Sequence, residues 1–102
     1  MSFVNYEGYT LQDGLDSVRE GWANLVREAF ENKPENIKIV QVKEKFGGLR
    51  IYTDYHIEEF ENLLQDIERR SFTICDVCGK PGTPRAKGFW IRTTCDEDYE
   101  RR

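Results

Sequence analysis

Three cysteines and an aspartate near the carboxyl end constrain this 102-residue chain more than any other feature. Cys75 and Cys78 are separated by two residues, and Cys95 and Asp98 repeat that separation after sixteen intervening residues. Two thiolates at this spacing can bind one cation, and zinc prefers four sulfur, nitrogen or carboxylate ligands in a tetrahedron. The pattern fits a two-pair zinc arrangement in which Asp98 replaces the usual fourth cysteine or histidine. The sequence therefore predicts a structural Zn²⁺ site formed by Cys75, Cys78, Cys95 and Asp98.

The fourth ligand has several candidates. Asp98 is favoured because it follows Cys95 by three residues, which places both side chains on one face of a helix. Asp96 and Glu97 are local rivals, and His56, the single histidine, is a more distant one. An aspartate ligand would make the site weaker and more acid-sensitive than one with four cysteines.

A catalytic or redox role for the cysteines is less favoured. Thioredoxin-like motifs open a helix, whereas residues 79–82 (GKPG) are poor helix-opening sequence. A zinc deaminase would carry proline before its first paired cysteine, and Ile74 stands there. The chain has no Ser-His-Asp spacing, nucleophile elbow or phosphate loop, and His56 is a weak candidate for a general base. We expect a protein that is not an enzyme.

Composition limits the class of protein further. A chain of this length is expected to form one domain with a modest core. The net charge is −4, which argues against wide phosphate-driven binding of nucleic acid. No apolar stretch approaches a membrane span, and the first residues lack a signal-peptide pattern. Together with three cysteines rather than an even set, these features predict a cytoplasmic protein.

Periodicity predicts an α+β fold. Apolar residues recur at helical spacing over residues 15–33, where Thr10 or Asp13 can cap the start and Pro34 ends the helix. Residues 37–43 and 49–53 are β-branched and predict a hairpin that turns at residues 46–48, with a change of parity that permits a bulge. A second helix follows from residue 57. Gly21 interrupts the first helix at a cost of about 1 kcal/mol, which suggests close packing there.

The last third of the chain predicts a small appended unit. Residues 72–74 and 89–94 are expected to form short strands, residues 75–79 a tight loop, and residues 96–101 a short helix. We therefore divide the chain into an α+β body (residues 1–71) and a zinc-knuckle unit (residues 72–102) that packs as part of the same domain.

Two charged surfaces are candidates for binding a partner. The second predicted helix carries an acidic face that can approach a basic, nucleic-acid-binding channel of another protein. Its residues are Glu58, Glu59, Glu61 and Asp66, flanked by Glu68. Basic residues in the two predicted hairpin regions offer the alternative of direct nucleic-acid binding. They are Lys43, Lys45, Arg50, Arg85, Lys87 and Arg92.

Three segments together resemble those of a group of small proteins encoded by bacteria and their phages. They are residues 42–52 (VKEKFGGLRIY), 75–82 (CDVCGKPG) and 90–96 (WIRTTCD). Most members of the group have no assigned activity. The resemblance covers residues 42–98 and implies a histidine where Asp98 stands, so this chain departs from the pattern at that position. The C-terminal segments also look like a treble-clef finger, which implies a knuckle, a hairpin and further ligands at the start of a helix.

The same resemblance implies a function. Small, acidic, metal-containing phage proteins are similar to counter-defence inhibitors, including anti-CRISPR proteins that block an RNA-guided nuclease. The expected partner is therefore a host CRISPR nuclease, met in the host cytoplasm, and the expected action is to block its handling of nucleic acid. A small nucleic-acid-binding regulator with a structural zinc finger is the alternative.

Overall fold

The computed structural model describes residues 7–100, without the side chains of Lys87 and Glu100. Four α-helices, one 3₁₀ turn and two separate antiparallel strand pairs make up these residues, which confirms the α+β class. In chain order they are α1 (Leu11–Asp16), the 3₁₀ turn (Glu20–Trp22), α2 (Ala23–Asn32), β1 (Ile39–Lys45), β2 (Gly48–Thr53), α3 (Glu58–Ser71), β3 (Thr83–Lys87), β4 (Trp90–Thr94) and α4 (Asp96–Glu100). Residues 1–6 and 101–102 of the two expected units lie outside the described residues.

The prediction of a single first helix over residues 15–33 is wrong. Helix α1 starts and ends earlier, capped by Thr10 in a reciprocal box with Asp13, and α2 begins only after the 3₁₀ turn. The break has a tertiary cause, because the backbone N–H of Gly21 donates to the carbonyl oxygen of Asp76 at 2.9 Å. A Cβ atom on Gly21 would lie 2.0 Å from the carbonyl oxygen of Cys75. Gly21 therefore permits the close approach of its backbone to the cysteine loop, and it marks the break between α1 and α2.

The first hairpin has the turn and the bulge that the sequence permits. Its two-residue turn, Phe46 and Gly47, has φ angles of +52° and +87°, as the hairpin turn of type I′ requires. The register shifts between Ile39, which pairs with Thr53, and Gln41, which pairs with Tyr52. One extra residue at this bulge explains why the apolar parity changes along β1.

The core lies between the helices and the first hairpin. Helices α2 and α3 each contribute one apolar face, and β1 and β2 contribute the strand residues that meet them. The buried cluster consists of Trp22, Leu25, Val26, Ala29, Ile37, Ile39, Val42, Leu49, Phe60, Leu64 and Ile67. Arg70 of α3 donates two hydrogen bonds to the Glu28 carboxylate of α2, at 2.6 and 2.9 Å, so the two helices are also joined at their edge.

The C-terminal unit differs from the expectation in its first strand. Of the segment 72–74, only Ile74 makes a β-bridge, to Pro81, because Phe72 and Thr73 continue the last turn of α3. The partner of β4 is instead β3, a polar segment (TPRAK) that has no apolar alternation to reveal it. The second strand and the short final helix are where the sequence placed them.

Side-chain hydrogen bonds join the C-terminal unit to the body. The indole N–H of Trp22, which is 1% exposed, donates to the carbonyl oxygen of Ile74 at 2.9 Å. The hydroxyl of buried Thr93 donates to the carbonyl oxygen of Gly47 at 2.6 Å. These bonds hold the C-terminal unit against both the start of α2 and the turn of the first hairpin. Among residues 7–100, none of the helices has the length and hydrophobicity needed to cross a membrane.

Candidate metal centre

A tight loop places the first two cysteines. The backbone N–H of Cys75 donates to the carbonyl oxygen of Lys80 at 2.7 Å, and the carbonyl oxygen of Cys75 accepts from Gly79 at 3.0 Å. Gly79 has a φ of +79°, a conformation that L-residues with side chains rarely adopt. This loop is the turn beneath the expected ion, and it directs the sulfur atoms of Cys75 and Cys78 toward the same point.

The start of α4 supplies the other two side chains. Strand β4 ends at Thr94, so Cys95 follows directly and Asp98 lies in the first turn of α4. The backbone N–H of Asp98 points at the sulfur atom of Cys95 at 3.5 Å. One carboxylate oxygen of Asp98 lies 3.1 Å from the sulfur of Cys95 and 3.2 Å from the sulfur of Cys75.

These four side chains have the dimensions of a tetrahedral metal site. One potential ligand atom from each lies within 4.8 Å of all the others. Zinc–sulfur bonds of about 2.3 Å in a tetrahedron put two sulfur atoms about 3.8 Å apart. The sulfur atoms of Cys78 and Cys95 are 3.7 Å apart. Cys75, Cys78, Cys95 and Asp98 can therefore hold one metal ion between them.

The crowding of these groups is unfavourable without a cation. The backbone N–H of Lys80 lowers the pKa of the Cys78 thiol, but the Asp98 carboxylate, burial and the other two thiols outweigh it. Together they raise that pKa to about 12. A bound divalent cation reverses this balance, because it favours the deprotonated form of every ligand around it.

The rival fourth ligands are occupied elsewhere or lie outside the cluster. The imidazole Nδ1 of His56 lies 2.8 Å from the Glu61 carboxylate, and the His56 side chain is 78% exposed. Asp96 forms an ion pair with Arg85. Glu97 does not join the group of four side chains that can share an ion. Asp98, which the spacing favoured, is the carboxylate that the structure brings to the three cysteines.

A buried ion pair stands directly behind the cysteine loop. Asp76, between the first two cysteines, is 3% exposed. Its carboxylate accepts from Nη2 and Nε of Arg92 at 2.7 and 3.0 Å. The hydrogen bond to Asp76 is the main reason that the pKa of Arg92 is raised, and the charges of Glu44 and Cys75 raise it further against the opposing effect of burial. Arg92 thus places a permanent positive charge close to a cluster that becomes strongly anionic when its thiols ionise.

The acidic face of α3 is only partly free. Glu58 and Glu59 are exposed, and the described residues give neither of them an ion pair. Glu61 is paired with His56, while Asp66 is paired with arginines of its own helix. The negative potential that remains is concentrated at the start of α3.

The basic residues do not form one open patch. Arg50, Arg85 and Arg92 each form an ion pair with a carboxylate, namely Glu68, Asp96 and Asp76. Lys43 and Lys45 lie over the rings of Tyr52 and Phe46, with 5.9 and 5.8 Å between the ammonium nitrogen and the ring centroid. The side chain of Lys87 lies outside the described residues.

Sequence reasoning missed an exposed aromatic tip on the second hairpin. Phe89 is fully exposed at 102% and Trp90 is 74% exposed, just after Gly88 with its φ of +64°. The signal was partial, because adjacent residues of the expected strand 89–94 would point to opposite faces, so that only one of the two aromatics would be exposed. Phe89 instead lies in the turn before β4, and both side chains are exposed. Large exposed aromatics of this kind are typical anchors of protein interfaces.

No protein-family model matches the chain, and no similar curated protein or solved structure was found. The geometry of the site and the exposed surfaces therefore carry the functional argument.

Proposed function

We propose that this protein is a non-enzymatic, zinc-containing interaction protein. The observation that carries the proposal is the convergence of three sulfur atoms and one carboxylate oxygen within 4.8 Å. Zinc suits this donor set, because it is bound tetrahedrally by thiolates and accepts a carboxylate as a further ligand. Cys75, Cys78, Cys95 and Asp98 would hold the ion.

The role of the ion in this proposal is structural. Four protein ligands complete a tetrahedron and leave no open position for the water molecule that a catalytic zinc uses. Two ligands belong to the cysteine loop and two to the start of α4, so a bound ion joins segments that are distant in sequence. Small domains often need such a cross-link, since their cores supply little stability.

We further propose that the partner is a host nuclease of the RNA-guided, CRISPR type, and that binding blocks its handling of nucleic acid. The support is the resemblance to small phage proteins, the net charge of −4 and the exposed Glu58 and Glu59 at the start of α3, which form no ion pair with any described side chain. A basic channel built for phosphates attracts such a surface, and complementary charge accelerates association.

Affinity in this proposal comes mainly from the exposed aromatics. Exposed charges at the edge of an interface change the association rate more than the affinity, whereas buried aromatic anchors contribute roughly 2 kcal/mol or more each. Phe89 and Trp90 are the most exposed large apolar side chains of the described residues, and they lie on the hairpin that leads into Cys95. We assign them the anchoring role, with Glu58 and Glu59 accelerating the encounter.

The experiment is a cleavage and binding assay with purified RNA-guided nucleases from bacterial hosts. We expect inhibition of DNA cleavage, with an association rate on the order of tenfold lower for E58K/E59K at low salt. The control E31K/E35K changes the net charge equally, at exposed positions in and just after α2, and should leave the rate near that of the native chain. Substitution F89A/W90A should weaken binding by at least tenfold.

Two outcomes would contradict this function. Mobility-shift assays at physiological salt should show no binding of DNA or RNA, so tight, salt-sensitive binding would favour the nucleic-acid regulator instead. Equal association rates for E58K/E59K and E31K/E35K would exclude the acidic surface. Ion pairs already occupy three of the six candidate cations, which favours the absence of nucleic-acid binding.

A further inference from the structure

The three cysteines differ in how well solvent reaches them. Cys75 is fully buried, Cys95 is partly buried and Cys78 is exposed. A small oxidant therefore meets the sulfur atom of Cys78 first. The thiols of Cys75 and Cys95 both adjoin it, and the sulfur atom of Cys95 lies 3.7 Å away. The Asp98 carboxylate contacts the sulfur atoms of Cys75 and Cys95.

The backbone around Cys75 is held on several sides. Its N–H and its carbonyl group are both hydrogen-bonded within the loop. Gly21 and Gly82 both approach it closely. A Cβ atom on Gly21 would lie 2.0 Å from the carbonyl oxygen of Cys75, and a Cβ atom on Gly82 would lie 2.9 Å from its backbone nitrogen. Cys75 consequently has little room to change its position, while Cys78 and Cys95 lie at an exposed loop and at the start of a five-residue helix.

We propose that Cys78 and Cys95 form a peroxide-sensitive dithiol whose oxidation releases the bound metal. This inference rests on the proposed zinc site. A disulfide requires the two sulfur atoms to approach to about 2.05 Å, a movement of about 1.7 Å from their present separation. Because two of the four donors are then lost, Cys75 and Asp98 alone remain, which is too few for a stable tetrahedral zinc site.

The chemistry is balanced with hydrogen peroxide as the oxidant. The Cys78 thiolate attacks one peroxide oxygen, the O–O bond breaks and hydroxide leaves, which gives a sulfenic acid at Cys78. The Cys95 thiolate then attacks that sulfur, the S–O bond breaks and a second hydroxide leaves. In total, two thiolates lose two electrons to one peroxide molecule, and one S–S bond forms.

Peptide mapping of the full chain tests this pairing. Zinc-loaded protein is treated with hydrogen peroxide in the presence of a chromophoric chelator that reports released zinc. The remaining thiols are alkylated after denaturation. Trypsin leaves Cys75 and Cys78 on one peptide, since no lysine or arginine lies between them, and Cys95 on another. We expect a disulfide to link the two peptides, and we expect fragmentation to locate that bond at Cys78 and Cys95. Cys75 should be alkylated, and one zinc ion should be released for each disulfide formed.

Other pairings would overturn the inference. A disulfide between Cys75 and Cys78, a disulfide between two chains, or conversion of Cys78 to sulfinic acid without any disulfide would each do so. The same mapping is carried out on metal-free protein, where the same bond is expected. Metal analysis that finds no bound zinc would contradict the proposed function. Peptide mapping that finds another disulfide would contradict the dithiol alone, so the two failures are distinguishable.

The order of reactivity provides a second measurement that needs no variant. Timed alkylation of native, zinc-loaded protein with iodoacetamide should modify Cys78 fastest and Cys75 slowest, by at least tenfold, because the bound cation keeps all three thiols deprotonated and leaves access as the difference. Equal rates at the three positions would contradict the difference in access on which the proposal depends.

Discussion

The backbone N–H of Gly21 donates a hydrogen bond to the carbonyl oxygen of Asp76, 55 positions later in the chain, at 2.9 Å. This bond connects the 3₁₀ turn that precedes α2 with the loop between Cys75 and Cys78. It divides what the sequence presents as one helix, and it leaves the cysteine loop supported by the body of the protein. The metal centre and the first helical segment therefore depend on each other.

Substitution G21A should destabilise the protein by about 2–4 kcal/mol. The added Cβ would lie 2.0 Å from the carbonyl oxygen of Cys75, so the loop must move away and the bond to Asp76 is lost. Urea unfolding checks this value. The matched control is G88A, whose Cβ would meet nothing within 4 Å. Its free energy of unfolding should fall by only about 1–2 kcal/mol, the cost of placing alanine in a left-handed backbone conformation. A smaller loss for G21A than for G88A would contradict the close approach.

Removal of the Arg92 charge should be costly because it leaves the buried Asp76 carboxylate unpaired. We expect R92M, which keeps much of the side-chain stem, to lose about 3 kcal/mol of unfolding free energy. The double variant R92M/D76N should recover part of that loss, since the remaining amide is neutral. Equilibrium denaturation of both variants measures the difference. A double variant less stable than R92M alone would show that the ion pair does not determine the effect.

The carboxylate of Asp98 should control the affinity for metal. Substitution D98A should weaken zinc binding by at least tenfold, because one of four donors is removed, while D98H should bind zinc at least as tightly as the native chain. Competition with a chelator of known affinity gives both values. Asp96 offers a control, since it is 88% exposed and paired with Arg85. If D96A weakens binding as much as D98A, the assignment of the fourth ligand is wrong.

The ion pair between Glu28 and Arg70 should make a small, pH-dependent contribution to stability. The hydrogen bond from Arg70 is the main reason that the pKa of Glu28 lies below its usual 4.5, with burial opposing it. A lowered folded-state pKa stabilises the protein above the unfolded-state value, and this contribution is lost as the pH falls through the folded-state value. Both side chains are about one third exposed, so we expect less than about 1 kcal/mol.

Unfolding of the native chain and E28Q at pH 7 and pH 3 measures that contribution. E28Q should be less stable at pH 7, and the difference should be smaller at pH 3, because the contribution of the carboxylate is lost as the pH falls through its lowered folded-state pKa. Substitution E31Q, at an exposed position of the same helix, controls for the loss of one charge. A difference between the native chain and E28Q that persists unchanged at pH 3 would contradict the assignment to this ion pair.

Local patterns predicted much of this fold correctly. The hairpin of β1 and β2, helix α3 and the position of Asp98 relative to Cys95 all follow from spacing and residue type within short segments. The break at Gly21 does not, because its cause is a backbone group more than fifty residues away. Strand β3 was missed for a related reason, since a polar strand reveals itself only through its partner.

The candidate site also combines features that local spacing predicts with features that depend on distant residues. Spacing identified four side chains that the structure brings together, but it left His56 open because a lone histidine gives no indication of its neighbours. The structure pairs His56 with Glu61 instead. The exposure of Phe89 and Trp90 was only partly predictable, since alternation along a strand would expose one of two adjacent aromatics. Both are exposed because Phe89 lies in the turn that precedes β4.

The most direct test of the account is the metal content of protein purified without added metal or chelator. Elemental analysis should find one zinc ion per chain, and its removal should loosen the C-terminal unit, seen as a change in the fluorescence of Trp22 in a W90F background. Trp22 reports on this region because its indole N–H is bonded to Ile74, next to Cys75. Protein that contains no stoichiometric metal and keeps the same Trp22 signal with or without a chelator would contradict the central claim.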